Sequence, residues 1–300
     1  MKNQFATAHT KHGEIALVVG TSCDLPQEIL DQYSIQMVPL RVIMGQKTYI
    51  DKLSLTPDEF YQLLKDNPDI HPTTSQPTPA DFRNKFEFLG AHYENVLELT
   101  LAGGLSGTYE SANTAARYTE ADANIEVIDT KNLTVGKGLI VRKVAEEIAA
   151  GSEFEKVKER AGSLIKRTKM LVTVETLDYL IKGGRVSRTK GFVANRLNLK
   201  PIITLDEDGK ANQLDTVFGS EGGKKKIMEI LEERLDKETP VDFAIGHVDR
   251  YEKAEWFKKQ IEDTFTLDHD IYIMDASPVL AAHGGFGTVI ITYIEPDNSK

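Results

Sequence analysis

The chain has 300 residues of ordinary globular composition, enough for two domains or one large one. Its net charge of −10 argues against a nucleic-acid or anionic-membrane surface, because phosphate binding is driven mainly by cations. Cys23 is the only cysteine, which excludes an intramolecular disulfide and a cysteine-built zinc cage; no apolar run approaches the ~18 residues of a membrane span, and the chain reads as cytoplasmic.

Met1–Gly13 is polar and unpatterned and reads as a loose leader. Glu14–Val19 suits a buried strand. A turn through Pro26 and a helix to about Gln32 follow, with Asp24 or Ser22 as cap. Gln36–Leu40 and Val42–Ile50 read as strands, the second turning at Gly45, and Thr56-Pro57-Asp58-Glu59 is a capped helix start.

His71–Phe82, HPTTSQPTPADF, holds three prolines that stiffen the backbone and exclude a helix or a central strand. Between them Thr73, Thr74, Ser75 and Gln76 offer hydroxyls and an amide, which suit either a plain helix entry or a loop that holds a polar ligand head. Thr78, Pro79 and Asp81 fit N-cap, N1 and N3 of the next helix.

Asn95–Ala102 is a strand ended by Gly103 and Gly104, after which Leu105–Tyr109 opens a helix towards Tyr118. Ser106 stands where it either caps that helix or hydrogen-bonds an anion at its N-terminus. Asn124–Ile128 is a strand, and helices over Thr134–Ala150 and Phe154–Arg167 follow, with Ser152 and Glu155 fitting a capping box. The pattern changes near Thr168, which divides the chain into an N-terminal α/β domain, 14–168, and a C-terminal one, 169–300.

The second half begins with a strand over Met170–Val174 and a short helix over Leu177–Ile181. Lys182–Arg188 is a basic loop in which Arg185 is either a surface arginine or a fork for a carboxylate or phosphate. Lys200–Leu205 and Ala211–Phe218 flank a hairpin turn. A helix over Glu221–Leu235, a strand over Val241–Gly246, a helix over Tyr251–Asp263 and strands over Asp270–Met274 and Thr288–Ile294 complete the series. His283, set among small residues and glycines, has room for a ligand beside its imidazole. Thr74, Ser75, Ser106, Arg185 and His283 together suit an anionic head group held between two halves of a protein; no metal set and no cofactor motif appears.

TTSQPTPADF (73–82), LSGTYESA (105–112), VIDTKNLTVGKGLIV (127–141), LIKGGRVS (180–187) and PVLAAHGGFG (278–287) resemble the DegV family in order and spacing. The resemblance implies two α/β domains, the first with a mainly parallel sheet and the second with a mixed or antiparallel one, and a long-chain fatty acid between them. The carboxylate would meet Thr74 and Ser106 with Ser75 nearby, and Arg185 and His283 would stand near the head group or the docking face. Such proteins resemble non-catalytic carrier subunits of a bacterial fatty acid kinase. The resemblance then implies a separate ATP-binding subunit that would phosphorylate the carboxylate, for phospholipid synthesis, with transient membrane contact. Four positions depart from the family pattern: Gly20 stands for an aspartate, Ala102 and Gly103 for paired serines, and Phe286 for a proline, which implies an altered carboxylate network.

A second reading is a serine hydrolase, with Ser106 as nucleophile, His283 as base and Asp275 or Asp129 as orienter, although 104–108 is not G-x-S-x-G. A nucleotide-binding enzyme is a third, weakened by the lack of a P-loop.

Overall fold

In this computed structural model, which describes residues 13–186 and 199–297, the first strand sets the plan. β1 (Gly13–Gly20) sends Ala16 and Val18 to one face and Leu17 and Val19 to the other, and all four are buried. A strand buried on both faces belongs inside a parallel sheet covered by helices. The leader through His12, and Ser187 and Arg188 of the basic loop, lie outside the described residues.

α1 (Gln27–Gln32) begins at Pro26 and has no side-chain cap, contrary to the expectation for Asp24 or Ser22. Asp24 is instead fully buried, where it accepts from Lys52 Nζ at 2.8 Å and Thr134 Oγ1 at 2.7 Å. β2 (Gln36–Val38) pairs with β1, and β3 (Arg41–Met44) and β4 (Lys47–Ile50) form a hairpin. α2 (Pro57–Asp66) starts with the Thr56–Glu59 capping box. β5 (Thr73–Ser75) joins β3 as the edge of a three-stranded antiparallel sheet, a position that Pro72 and Pro77 permit. α3 (Pro79–Gly90) has the expected Thr78–Asp81 box, and Asp81 also takes a forked bond from Arg41 at 3.0–3.1 Å, which pins the loop to β3.

β6 (Tyr93–Thr100), α4 (Thr108–Tyr118) and β7 (Asn124–Asp129) complete a parallel sheet of order β2-β1-β6-β7. α5 (Thr134–Ala149) is buried on nearly every side of its first half. Such a helix needs apolar neighbours all round. α6 (Phe154–Arg167) buries only Val157, Ala161 and Leu164, one stripe at helical spacing. Its N-cap is Glu153, so the Ser152–Glu155 box does not form; the Ser152 hydroxyl turns back to Glu147 on α5.

β8 (Thr168–Thr173), α7 (Asp178–Lys182), β9 (Leu199–Leu205), β10 (Ala211–Phe218), α8 (Gly219–Arg234), β11 (Asp242–His247), α9 (Tyr251–Thr264), β12 (Tyr272–Asp275), α10 (Pro278–Gly284) and β13 (Val289–Ile294) make the rest. Their sheet, β10-β9-β8-β13-β11-β12, is antiparallel except for the β11–β12 pair. α10 carries His283 on a short helix. Pro278 starts it, and Gly285 stops it at φ 74°.

The layers run α3 and α4, parallel sheet, α5, six-stranded sheet, α8 and α9. Val19, Leu97 and Leu99 meet one side of α5, while Met170, Ala244 and Ile290 belong to the same continuous core on its other side. The antiparallel sheet, α2 and α10 share another core that includes Phe60, Val248 and Ala282.

Candidate functional site

The loops that leave β6 and β7 lie at the carboxyl edge of the parallel sheet, where α/β folds hold ligands. Facing them, β8 turns Met170 and Val172 the same way, two residues apart, with Val174 next in that series. Between the two lies a cavity of about 950 Å³, counted to its open mouth. Leu101, Leu105 and Leu133 line it from the first half; Ile203, Leu205 and Ile290 line it from the second.

Polar side chains collect at one end. Thr74 Oγ1 and His283 Nε2 are 2.8 Å apart, linking β5 to α10. Arg185 donates from Nε to the Leu105 carbonyl at 3.2 Å and from an Nη to the Gly183 carbonyl at 2.5 Å. Ser106 Oγ accepts from the Thr108 amide at 3.3 Å and lies 2.9 Å from the Thr108 hydroxyl. Thr74, Ser106, Arg185 and His283 all line the cavity and are partly exposed, whereas Met170 and Ile203 are buried. The polar end is therefore the mouth and the apolar end is the interior.

Ser75 stands apart. It follows Thr74 in β5, so its side chain points to the opposite face, and it does not line the cavity. The departures from the family pattern also lie off the lining. A Cβ on Gly20 would press on Leu40 at 3.0 Å, and the Gly103 amide donates to Asp129 at 3.0 Å. Ala102 is buried, and Phe286 packs on Tyr61 with ring centroids 6.1 Å apart. The expectation of an altered carboxylate network finds no direct contact at these four positions.

The charge balance at the mouth is uneven. Burial, reinforced by Arg185 and His71, pushes the His283 imidazole down to about 3, so it is neutral at physiological pH. Its Nδ1 faces Gly183, where an added Cβ would collide with it, and finds no hydrogen-bond partner among the described residues. Burial also lowers Arg185, yet a guanidinium stays charged. Among the described residues Arg185 bonds only carbonyls and pairs with no carboxylate. One net positive charge and two hydroxyls thus face an apolar chamber.

A depressed histidine makes a testable demand on stability. Unfolded His283 gains a proton below its ordinary value of 6.5, while the folded residue resists until about pH 3. Its contribution is present above pH 6.5 and is lost as pH falls towards 3. Urea unfolding at a series of pH values is expected to show that loss, and His283→Gln is expected to flatten it. Parallel curves for the two proteins would mean that the imidazole is not buried neutral.

The hydrolase constellation does not assemble. His283 meets Thr74 rather than Ser106, and Asp275 is taken by Tyr61 at 3.1 Å and His247 at 3.3 Å. Asp129 accepts from the amides of Gly103 and Lys131.

The fold and cavity define a three-sheet α/β protein with a mainly apolar chamber whose mouth carries Thr74, Ser106, Arg185 and His283. The sequence model described as uncharacterised protein, DegV family, matches residues 14–296. The chain belongs to the DegV family. A DegV domain-containing protein of Clostridium acetobutylicum is 32% identical over 91% of this chain and 96% of its own length. Another, from Caldanaerobacter subterraneus subsp. tengcongensis, is 35% identical over 86% of this chain and 89% of its own. Among solved structures, a fatty-acid-binding DegV protein from Thermus thermophilus has a TM-score of 0.86 at 26% identity, covering 94% of this chain and 100% of that one. A stearic-acid-binding protein from Eubacterium ventriosum has a TM-score of 0.84 at 28% identity, covering 94% and 98%. No helix among the described residues is long and apolar enough to cross a membrane.

Proposed function

We propose that this chain binds a long-chain fatty acid, with the tail in the cavity and the carboxylate at Thr74, Ser106 and Arg185. The observation that carries the reading is the asymmetry of the cavity: its lining is mainly apolar, with threonines Thr134, Thr204 and Thr288 besides, and its charged and imidazole groups, Arg185 and His283, stand together at the mouth. Each buried CH₂ contributes about 0.8 kcal/mol, and a carboxylate needs paired donors where it leaves water. With the imidazole proton on Nε2, Thr74 Oγ1 accepts from His283 and keeps its own hydrogen free for the ligand. With Thr108 donating, Ser106 is free in the same way. Arg185 adds the charge. The binding of fatty acids by structural relatives supports the ligand class.

The carrier acts in the cytoplasm and hands its ligand's carboxylate to a separate ATP-dependent kinase subunit. The family resemblance and the part-exposed mouth support this step: a phosphoryl donor needs access to the carboxylate while the tail stays covered.

Denaturing extraction of the purified protein, followed by mass spectrometry, is expected to release a fatty acid at near-stoichiometric yield. Thr74→Ala and Ser106→Ala are each expected to retain less. An empty extract, repeated after incubation with a panel of fatty acids, would rule the carrier reading out.

A further inference from the structure

The apolar end of the cavity meets a gap in the six-stranded sheet. β8 and β9 pair only through Val172 with Ile203 and Thr173 with Ile202. The next positions, Leu171 against Thr204 and Met170 against Leu205, are not paired. Both strands nevertheless continue, and each keeps its other neighbour: β8 stays on β13 down to Thr168, and β9 stays on β10 out to Leu205. The two strands therefore splay. One side-chain bond crosses the opening there, from the Thr204 hydroxyl to the Met170 carbonyl at 2.8 Å.

A surface pocket, about 1260 Å³ with the open solvent over it included, lies beyond the opening and shares Met170, Thr204 and Leu205 with the main cavity. Its floor carries Ile165 beside those residues, and its rim carries charged side chains. Two of its three lysines have other contacts: Lys131 Nζ donates to the Glu207 carbonyl at 2.7 Å, and Lys169 Nζ to the Lys166 carbonyl at 2.8 Å. At the gap itself Met170 and Leu205 are apolar, and the Thr204 hydroxyl is already spent on the Met170 carbonyl. Met170 lies four residues along β8 from Val174, about 13 Å from the mouth side at strand rise.

We propose that the splay between β8 and β9 is a tail-end passage, with Met170 as its gate, through which the ω end of a long acyl chain reaches the second pocket. The proposal rests on the fatty-acid reading of the cavity. A flexible thioether side chain between two hollows moves at little cost. A single side-chain bond resists separation less than a strand ladder does. The chamber thus sets no sharp upper limit on chain length, and the residue at 170 decides how far a tail extends.

The test is an affinity profile for saturated fatty acids of increasing length, from fourteen to twenty-four carbons, with wild type, Met170→Trp and Leu205→Trp. Wild type is expected to hold the longest chains at least as well as eighteen carbons. Either tryptophan is expected to block the gap from its own strand, with a loss of about fourfold for each methylene excluded. Circular dichroism and urea unfolding report separately that the variants are folded, and the shortest acid is expected to lose less affinity than the longest in both variants. A sharp length limit in wild type that neither variant moves would overturn the passage and leave the fatty-acid reading standing. Absence of binding at every length would overturn that reading, and the passage with it.

Discussion

Arg185→Met is expected to weaken binding of hexadecanoate roughly 10- to 100-fold and to leave hexadecanol unaffected. The range follows from a charge-assisted hydrogen bond worth about 1.5–3 kcal/mol. The argument is electrostatic. His283 is neutral at working pH, held down by burial first and by Arg185 second. The hydroxyls of Thr74 and Ser106 are donors without charge. Among the described side chains that line the cavity, only Arg185 can balance a carboxylate. It also holds the carbonyls of Leu105 and Gly183, so its loss could disturb the mouth mechanically. The alcohol separates the two effects, because it shares the tail and lacks the charge. An equal loss for acid and alcohol would show a clamp rather than a counter-ion. Arg185→Lys is expected to recover part of the acid affinity, since a point charge remains and the fork does not.

The mouth was legible in the sequence because its residues stand in unusual local company. Prolines flank Thr74, glycines precede Ser106 and follow His283, and Arg185 follows Gly183-Gly184. Ser75 shows the limit of that signal. A row of hydroxyls gives no face until its backbone is known to be a strand, and β5 is short and lies between prolines. The tail chamber was unassigned for a different reason. Its walls are ordinary core types, and Met170, Val172 and Val174 differ from packing residues only in what lies opposite them. Their two-residue spacing was visible, and it marks one face of β8, but nothing local marks that face as hollow. α10 was left unassigned because the glycines after His283 are poor helix formers, while Pro278 supplies a helix start that outweighed them. Asp24 and Ser152 were misread as caps for a related reason. Both residue types cap helices well, yet tertiary partners claimed their side chains first.

The double variant Glu98→Leu with Lys137→Met is expected to be more stable than wild type by about 1–4 kcal/mol, because each buried ionisable group lacks a hydrogen-bond partner among the described residues and apolar side chains carry no such desolvation cost. Both residues are fully buried, Lys137 on α5 and Glu98 on the face of β6 that carries Val96, turned away from Leu97 and Leu99. Neither Lys137 Nζ nor either Glu98 carboxylate oxygen has a hydrogen-bond partner among the described residues. Burial dominates both: it drives Glu98 up to about 7 and Lys137 down, and their mutual attraction opposes it only in part. Each group is therefore held closer to its neutral form than it would be in water. Linkage fixes the sign of the pH effect. Glu98 binds its proton more tightly in the fold than the ordinary 4.5, so its contribution is intact below pH 4.5 and is lost as pH rises through about 7. The double variant is expected to lack that component. Asp51, also driven up to about 7, remains in both proteins and cancels in the comparison. The single variants leave one buried polar group without its attractive neighbour and are expected to fall below the double. Urea unfolding at pH 4.5 and pH 7.5 decides the matter. A double variant less stable than wild type at both values would mean that the pair is a satisfied network which the fold depends on.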